Sequence, residues 1–335
     1  MTTTLAPTGT TLRQLTAFTP SGHLHLGSLL GAIRPILDRQ HEAETVVFLS
    51  DLHALTIEHD PALVRARTLE QAALLLAAGL DPARALFYVQ SQVPEHTELH
   101  YLLECVTGYG EAHRMIQFKE KSAAQQHVRL SLLTYPVLMA ADILLHDTQE
   151  VPVGDDQRQH VELARDVATR FNSRYGSTFT MPRAVHPPVA ARVMDLGNPA
   201  AKMSKSSHVD AGRLGLLDPP AMIRRKVLRA VTDSGTEVAY EPERRPGVAN
   251  LLEILAACGG GSPAALAGQF TSYGALKNAV VEAVVATLEP IQARHAVLAR
   301  DPDHVRRVLA EGAERARNRV AGTVQRAKAA IGLLS

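Results

Sequence analysis

The sequence predicts an α/β fold: a parallel sheet covered by helices, with a helical bundle appended to it. Three observations predict it. Short apolar, β-branched runs alternate with helical stretches through the first half of the chain, the pattern of strand–helix–strand units. A glycine-containing turn stands directly between the first such run and the first helical stretch. From Asp218 onward only helical periodicity remains, which predicts a bundle. At 335 residues the chain exceeds one ordinary core, so two domains, or one large domain with an appendage, are expected.

Leu15-Thr16-Ala17-Phe18 reads as the first strand. Residues 26–39 read as a helix, bent at Pro35, which has no N–H for the helical ladder. Val46-Val47-Phe48-Leu49 is a β-branched apolar run and reads as a buried strand. Asp60-Pro61 opens the next helix, apolar from Leu63 to Leu80, and Gly79 with Asp81-Pro82 closes it. Leu86-Phe87-Tyr88-Val89 and Val151-Pro152-Val153 read as strands, and residues 155–171 as a helix. Pro187-Pro188 and Gly197-Asn198-Pro199 mark an irregular connector that runs to residue 213. Helices are then expected over 221–231, 250–257, 262–273, 277–298 and 302–331.

Hydrophobic residues make up 46% and charged residues 21% of the chain, the composition of a folded globular protein. The net charge of +1 carries no bulk attraction for nucleic acid, so such a surface would have to be a local patch. Two cysteines, Cys105 and Cys258, exclude a disulfide framework and a Cys-rich metal site; a reducing compartment, the cytoplasm, is expected. There is no apolar run of about 18 residues to cross a membrane. Residues 1–11 are Thr-rich, without a basic start and apolar core, and read as a short tail.

Two stretches face phosphate. Pro20-Ser21-Gly22-His23-Leu24-His25-Leu26-Gly27-Ser28 follows the first strand and begins the first helix, where a sheet offers backbone N–H groups to an anion. Gly22 and Gly27 let the backbone approach a ligand, and His25 can donate to phosphate oxygens. Lys202-Met203-Ser204-Lys205-Ser206 lies in the connector, with two lysines three residues apart beside small hydroxyl residues, as suits a loop closing over a polyphosphate. Each alone also reads blandly, as a surface turn with incidental histidines and as a solvated basic loop. Their pairing, in this order and context, favours the phosphate reading.

The pair resembles the HIGH and KMSKS signatures of class I aminoacyl-tRNA synthetases, the second letter for letter. Residues 110–122, 133–145 and 151–160, with Asp51-Leu52-His53-Ala54, are similar to blocks of the bacterial tryptophanyl-tRNA synthetases. The likeness runs from residue 15 over nearly the whole chain, including Thr232-Asp233-Ser234 and residues 246–252. Tyrosyl enzymes share its looser parts only. The resemblance implies a Rossmann-like catalytic domain over residues 1–188, a KMSKS-loop connector over 189–213, and a helical anticodon-binding domain over 214–335, whose terminal helix can pack back on the catalytic domain. It implies tryptophan activation by ATP with Mg²⁺ on the nucleotide, no protein-bound structural metal, then transfer to tRNA(Trp). The substrate carboxylate is the nucleophile, so the lack of a Ser–His–Asp or Cys–His constellation is consistent with it.

By position the resemblance assigns Thr19, Ser21, Gly22, His25, Gly27, Ser28, Gly154, Asp156, Met203 and Ser204 to ATP, and Lys121, Lys202 and Lys205, with His25, to the phosphates that react. Asp142 would accept the indole N–H, since indole is a donor only; phenylalanine would leave that carboxylate unpaired. Met139 would pack on the indole face, Val151 and Val153 line the pocket, and Tyr135 and Gln157 meet the amino group. Asp142 in its apolar helix also reads as a structural charge paired with an arginine, Met139 as plain core, and His53 as either a substrate contact or a core histidine. Thr19 and Ser28 depart from the family pattern, where Gln and Asn or His are frequent, and put nucleotide affinity in question.

Between Arg306 and Lys328 seven basic residues face two acidic ones, and Arg315, Arg319 and Arg326 share one helical face. Such a face is a solvated one or a grip on tRNA phosphates. Arg224-Arg225-Lys226 with Arg229 is a second candidate. The family reads its anticodon with the opposite subunit, which implies a symmetric homodimer. Three alternatives stay open: a tyrosyl enzyme, another nucleotidyltransferase with a HIGH-like turn, and a non-enzymatic paralogue serving as a binding partner.

Overall fold

The computed structural model describes residues 12–123, 125, 127–154, 157–185, 193–204 and 210–334. Five strands, β1 (Arg13–Phe18), β2 (Glu44–Leu49), β3 (Leu86–Val89), β4 (Glu150–Pro152) and β5 (Arg183–Val185), form one sheet in the order β3-β2-β1-β4-β5. Every pairing is parallel. Strand order reverses between β1 and β4, and in such sheets ligands bind at that switch point, beyond the carboxyl ends of the strands.

The central parts of β2 and β3 are buried on both faces, which is why they read as unbroken apolar runs. Alternate side chains separate into two cores. Val47, Leu49, Phe87 and Val89 point to one, Val46, Phe48, Leu86 and Tyr88 to the other.

The first helical stretch is α1 (Leu26–Ser28), a π turn (Leu29–Ile33) and α2 (Arg34–Arg39). Arg34 N–H bonds the Leu29 carbonyl five residues back. The expected bend at Pro35 thus takes the form of a wide turn just before the proline, where the ladder is already interrupted. α3 (Asp51–Ala54) follows β2. α4 (Pro61–Ala78) starts on Asp60, whose side chain accepts from Ala62 N–H, and ends on Gly79 at φ 116, a left-handed position that favours glycine. Between β3 and β4 lie α5 (Glu95–Glu104), α6 (Tyr109–Arg114), α7 (Ile116–Ala123) and α8 (Leu130–Leu145). The helix expected from residue 155 is α9 (Arg158–Tyr175); residues 155 and 156 lie outside the described ones.

β5 was not expected: Arg-Ala-Val has no apolar run, and it becomes a strand through its register against β4. The second half contains α10 (Pro220–Leu228), α11 (Pro246–Gly259), α12 (Pro263–Ala267), α13 (Tyr273–Leu298) and α14 (Pro302–Ala330). The helix expected over 262–273 shrinks to α12 because Ser272 caps the next helix, accepting from Ala275 N–H, and α13 begins at Tyr273. α14 crosses from one core to the other over the β3 edge. Val305 and Leu309 belong to the first core, Ala316, Val320 and Val324 to the second. At the crossing stands Gly312, where a Cβ would lie 1.7 Å from the Phe87 carbonyl oxygen. The terminal helix therefore covers an otherwise open sheet edge. Among the described residues no helix is long and apolar enough to cross a membrane.

Candidate functional site

Several of the sequence-predicted substrate residues follow the carboxyl ends of the strands, while Val151 lies within β4, Lys121 on α7, and Tyr135, Met139 and Asp142 on α8. β1 delivers the turn from Thr19 to Ser28, β2 delivers Asp51 and His53, β3 delivers Gln90 and His96, and β4 delivers Val153 and Gly154. The two ends of this edge differ in construction.

At the end formed by the turn after β1, which the sequence predicts to face phosphate, the turn is held by its neighbours. Gln71 on α4, fully buried, donates to the Gly22 carbonyl at 2.7 Å, and Arg67 donates to the Ser21 carbonyl at 3.2 Å. Thr19 and Ser50 hydroxyls meet at 2.9 Å. His25 is buried at the start of α1, where Ser28 and Leu29 N–H groups bond its carbonyl. Its ring lies against Gly27: a Cβ there would stand 3.1 Å from Nδ1. The segment after the KMSKS stretch runs antiparallel to the turn. Leu26 N–H donates to the Leu214 carbonyl at 2.8 Å, and Leu216 N–H to the Leu24 carbonyl at 3.1 Å.

The KMSKS stretch itself closes a short hairpin in which Met203 N–H donates to the Val193 carbonyl at 3.1 Å. Met203 is buried in the first core, Lys202 is exposed and Ser204 is half-buried. Asp195 accepts from Gly197 and Asn198 N–H groups, and Asn250 on α11 bonds both backbone groups of Met194. Asp195 carried no motif signal; Asn250 lies in the 246–252 block of the resemblance but had no role assigned to it. Lys205 and Asp156 lie outside the described residues.

The aromatic end is enclosed. Asp142, on the buried face of α8, is 2% exposed. Its Oδ1 accepts from Gln90 Nε2 at 2.7 Å and faces His96 Nδ1 at 2.6 Å; its Oδ2 faces His53 Nε2 at 2.8 Å. Burial raises its pKa, but the facing His96 and the hydrogen bonds from His53 and His96 outweigh that and hold it well below the carboxylate range. Its partners are two histidines and a glutamine, not the arginine of the bland alternative. His53 leans edge-on toward Tyr135, ring centres 6.1 Å apart. The Tyr135 hydroxyl lies 3.2 Å from Gln117 Oε1 and 3.0 Å from His160 Nε2, and burial pushes its pKa up. Lys121 Nζ sits 5.0 Å from the centre of the same ring. Met139 and Val153 are half-buried at the second core and Val151 is within it. Gln157 N–H bonds the Gly154 carbonyl at 3.0 Å, at the start of α9.

His96 and Gln90 had no signal in the sequence. They stand 46 and 52 residues before Asp142 and meet it only because β3 and α8 flank the same edge.

The arginines of α14 are engaged with the chain itself. Arg315 donates to the Pro82 carbonyl at 2.6 Å, Arg319 grips Glu44 through both terminal nitrogens at 2.9 and 2.8 Å, and Arg326 meets Asp147 at 3.1 Å. Of the second basic cluster, Lys226 is buried and donates to Asp218 at 2.8 Å.

Sheet order and gathered turns define a nucleotide-binding α/β architecture of the Rossmann type. Residues 8–289 match the family model of the tRNA synthetases class I (W and Y), and the chain belongs to that family. It is 58% identical over 320 residues to tryptophan–tRNA ligase 1 of Streptomyces avermitilis, covering 94% of this chain and 97% of that one. The tryptophanyl-tRNA synthetase of Mycoplasma pneumoniae has a similar structure, with a TM-score of 0.91 at 35% identity over 97% of this chain and 99% of that one. That of Campylobacter jejuni, complexed with ADP and tryptophan, gives 0.84 at 33% identity over 96% and 100%.

Proposed function

We propose that this chain is an ATP-dependent tryptophan–tRNA ligase: it joins tryptophan to AMP with release of pyrophosphate, then transfers the tryptophanyl group to tRNA(Trp). The observation that carries the reading is Asp142, an ionised acceptor buried on α8 and 2.6–2.8 Å from three side-chain nitrogens. An acceptor so placed suits a planar ring bearing one N–H, and a ring without one would leave buried charge unmet.

In this reading the indole N–H donates to Asp142. Met139 packs on the ring face, with His53, Val151 and Val153 around it. Tyr135 and Gln157 receive the α-ammonium. The substrate carboxylate attacks the α-phosphorus and pyrophosphate departs. His25, Lys121, Lys202 and Lys205 meet the charge that grows on the phosphoryl oxygens and the leaving group, which is where preorganised donors act most strongly. Thr19, Ser21, Gly22, Gly27, Ser28, Gly154, Asp156, Met203 and Ser204 shape the nucleotide site. Mg²⁺ would come with the nucleotide: the described turn and hairpin present hydroxyls, the His23 and His25 imidazoles and Lys202, which suit phosphate oxygens, while the hairpin carboxylate, Asp195, already accepts from Gly197 and Asn198 N–H groups.

The catalytic part spans residues 1–188, the connector 189–213 and the helical tRNA-binding part 214–335, working in the cytoplasm as a homodimer. A seam for the second copy is supported by exposed Leu55, Ile57, Val128 and Leu130. Arg129 gathers them by donating to the carbonyls of Leu55 and Ile57. With Arg319 and its neighbours tied inward and Arg306 paired with Asp303, the α14 face supports tRNA through exposed residues such as Arg307.

The test is ATP–pyrophosphate exchange with tryptophan, tyrosine or no amino acid, with Asp142→Ala as control. Exchange with tryptophan alone, lost in the variant, is expected. Exchange with tyrosine would overturn the pocket assignment, and none with either would leave a binding paralogue.

A further inference from the structure

We propose that Tyr88 and His146 are positioning residues for substrate specificity: with His96 they form a one-way line of hydrogen bonds that sets the His96 tautomer and leaves Asp142 a single open acceptor direction. The inference rests on the reading of Asp142 as acceptor of the substrate ring N–H.

The line is entirely buried. His146 Nε2 lies 2.7 Å from the Tyr88 hydroxyl, that hydroxyl 2.8 Å from His96 Nε2, and His96 Nδ1 2.6 Å from Asp142 Oδ1. None of Tyr88, His96 and His146 is more than 2% exposed. A phenol has one hydrogen, so of the two imidazole Nε2 atoms beside it one must carry a proton and the other must not. His96 Nδ1 faces a carboxylate and carries one. Were His96 protonated at Nε2 as well, Tyr88 would donate to His146, whose own hydrogen would then sit on Nδ1. Among the described residues that atom is buried without a hydrogen-bond partner, and a buried donor without an acceptor is costly.

The other arrangement leaves only a lone pair there. His146 Nε2–H donates to Tyr88, Tyr88 O–H donates to His96 Nε2, and His96 Nδ1–H donates to Asp142. Burial pushes the Tyr88 pKa well above, and the His146 pKa well below, their ordinary values, so phenol and imidazole hold only the protons this line needs.

The consequence is read at Asp142. A carboxylate has about four acceptor directions. His96 and Gln90 take two on Oδ1 and His53 one on Oδ2. Among the described hydrogen bonds the fourth, on Oδ2, is left for the substrate. A His96 that could turn its hydrogen to Nε2 would present a lone pair to Asp142, and the carboxylate would lose both its orientation and part of its charge stabilisation. These residues touch no substrate; they act through Asp142.

Two measurements on the full-length enzyme test this. In ¹⁵N-histidine NMR of the unaltered protein at neutral pH, His96 is expected as the neutral Nδ1–H form and His146 as the neutral Nε2–H form. A doubly protonated His96, or its Nε2–H form, would overturn the line. In ATP–pyrophosphate exchange, Tyr88→Phe is expected to raise KM for tryptophan about ten-fold while kcat stays within about two-fold. KM for the analogue with sulfur in place of the ring nitrogen should stay within about two-fold, because it never used the acceptor. His146→Leu should follow Tyr88→Phe, and His146→Gln, which keeps an N–H for Tyr88, should rescue. Equal rises for both amino acids would reduce Tyr88 to a packing residue and sink the proposal. Should Tyr88→Phe fail to fold, the NMR result decides. A wild-type enzyme that never exchanges with tryptophan would instead refute the function proposed above, whatever its tautomers.

Discussion

The two ends of the proposed site are built on opposite terms. At the aromatic end Asp142 is buried, ionised and surrounded by nitrogen groups, one of which, His96, is backed by the buried Tyr88 and His146. At the phosphate end Lys202 is exposed, and the hairpin that carries it is tied to the body by backbone bonds and by Asn250. A ring with one polar hydrogen is distinguished best by polarity set before it arrives, because reorganising a buried carboxylate is expensive. A polyphosphate has many equivalent oxygens, and cations on a loop can close around it after binding. The difference teaches that one end holds its polar group buried and pre-paired, while the other presents its cation to solvent.

The sharpest way to break the comparison is Asp142→Asn. It keeps the shape but makes part of the acceptor a donor facing His53, His96 or Gln90. We expect kcat/KM for tryptophan in pyrophosphate exchange to fall roughly a hundred-fold or more, about 3 kcal/mol, with KM for ATP nearly unchanged. A loss carried by ATP instead would erase the distinction between the ends.

Lys202→Ala is the counterpart. It is expected to lower kcat about ten-fold to a hundred-fold and leave KM for tryptophan unaltered, as a group meeting charge only in the transition state should. Steady-state kinetics with each substrate varied in turn separates the two.

Acid should strike the enclosed end first. Burial above all, with the Arg319 charge adding to it, holds the His146 pKa well below the imidazole range. The unfolded imidazole titrates near 6.5, so below that pH the unfolded chain binds a proton that the folded chain refuses. Stability is then full above about pH 6.5 and falls as pH drops below it, by at most ~1.4 kcal/mol per pH unit for this one group. Glu44, Glu111 and Glu150 are also shifted: burial raises each, but their arginine partners outweigh it and the net shift is downward. Their contribution is present above about pH 4.3 and is lost only below it. Urea midpoints at pH 8, 6.5 and 5.5 should show the first decline, and His146→Gln should flatten it.

The smallest effect is expected from Thr19→Gln, which introduces the residue frequent in the family beside the turn. Because Thr19 already bonds Ser50, KM for ATP should change by less than about three-fold, and KM for tryptophan not at all. A large change in tryptophan binding would mean that the two ends are coupled through β1.

Much of this was legible in one dimension. The buried strands β1, β2 and β3 announced themselves as apolar runs, α4 by Asp60-Pro61 and Gly79, and the two phosphate-facing stretches by residue type and order. These are local signals: burial on both faces, a cap and a left-handed residue act within a few positions of the chain. Other features carry no local signal. β5 exists because β4 lies beside it. The one-sided arginines of α14 looked like an outward basic face, yet Arg319 and Arg326 turn to Glu44 and Asp147, which are far away in sequence.

Asp142 marks the boundary between the two kinds of knowledge. Its block and its helix could be read from the sequence alone. That its partners would be His53, Gln90 and His96, and that Tyr88 and His146 would stand behind them, depended on strands brought together in a non-sequential order. Hydrogen bonds need atoms within about 3 Å, and only the folded sheet decides which distant residues come that close.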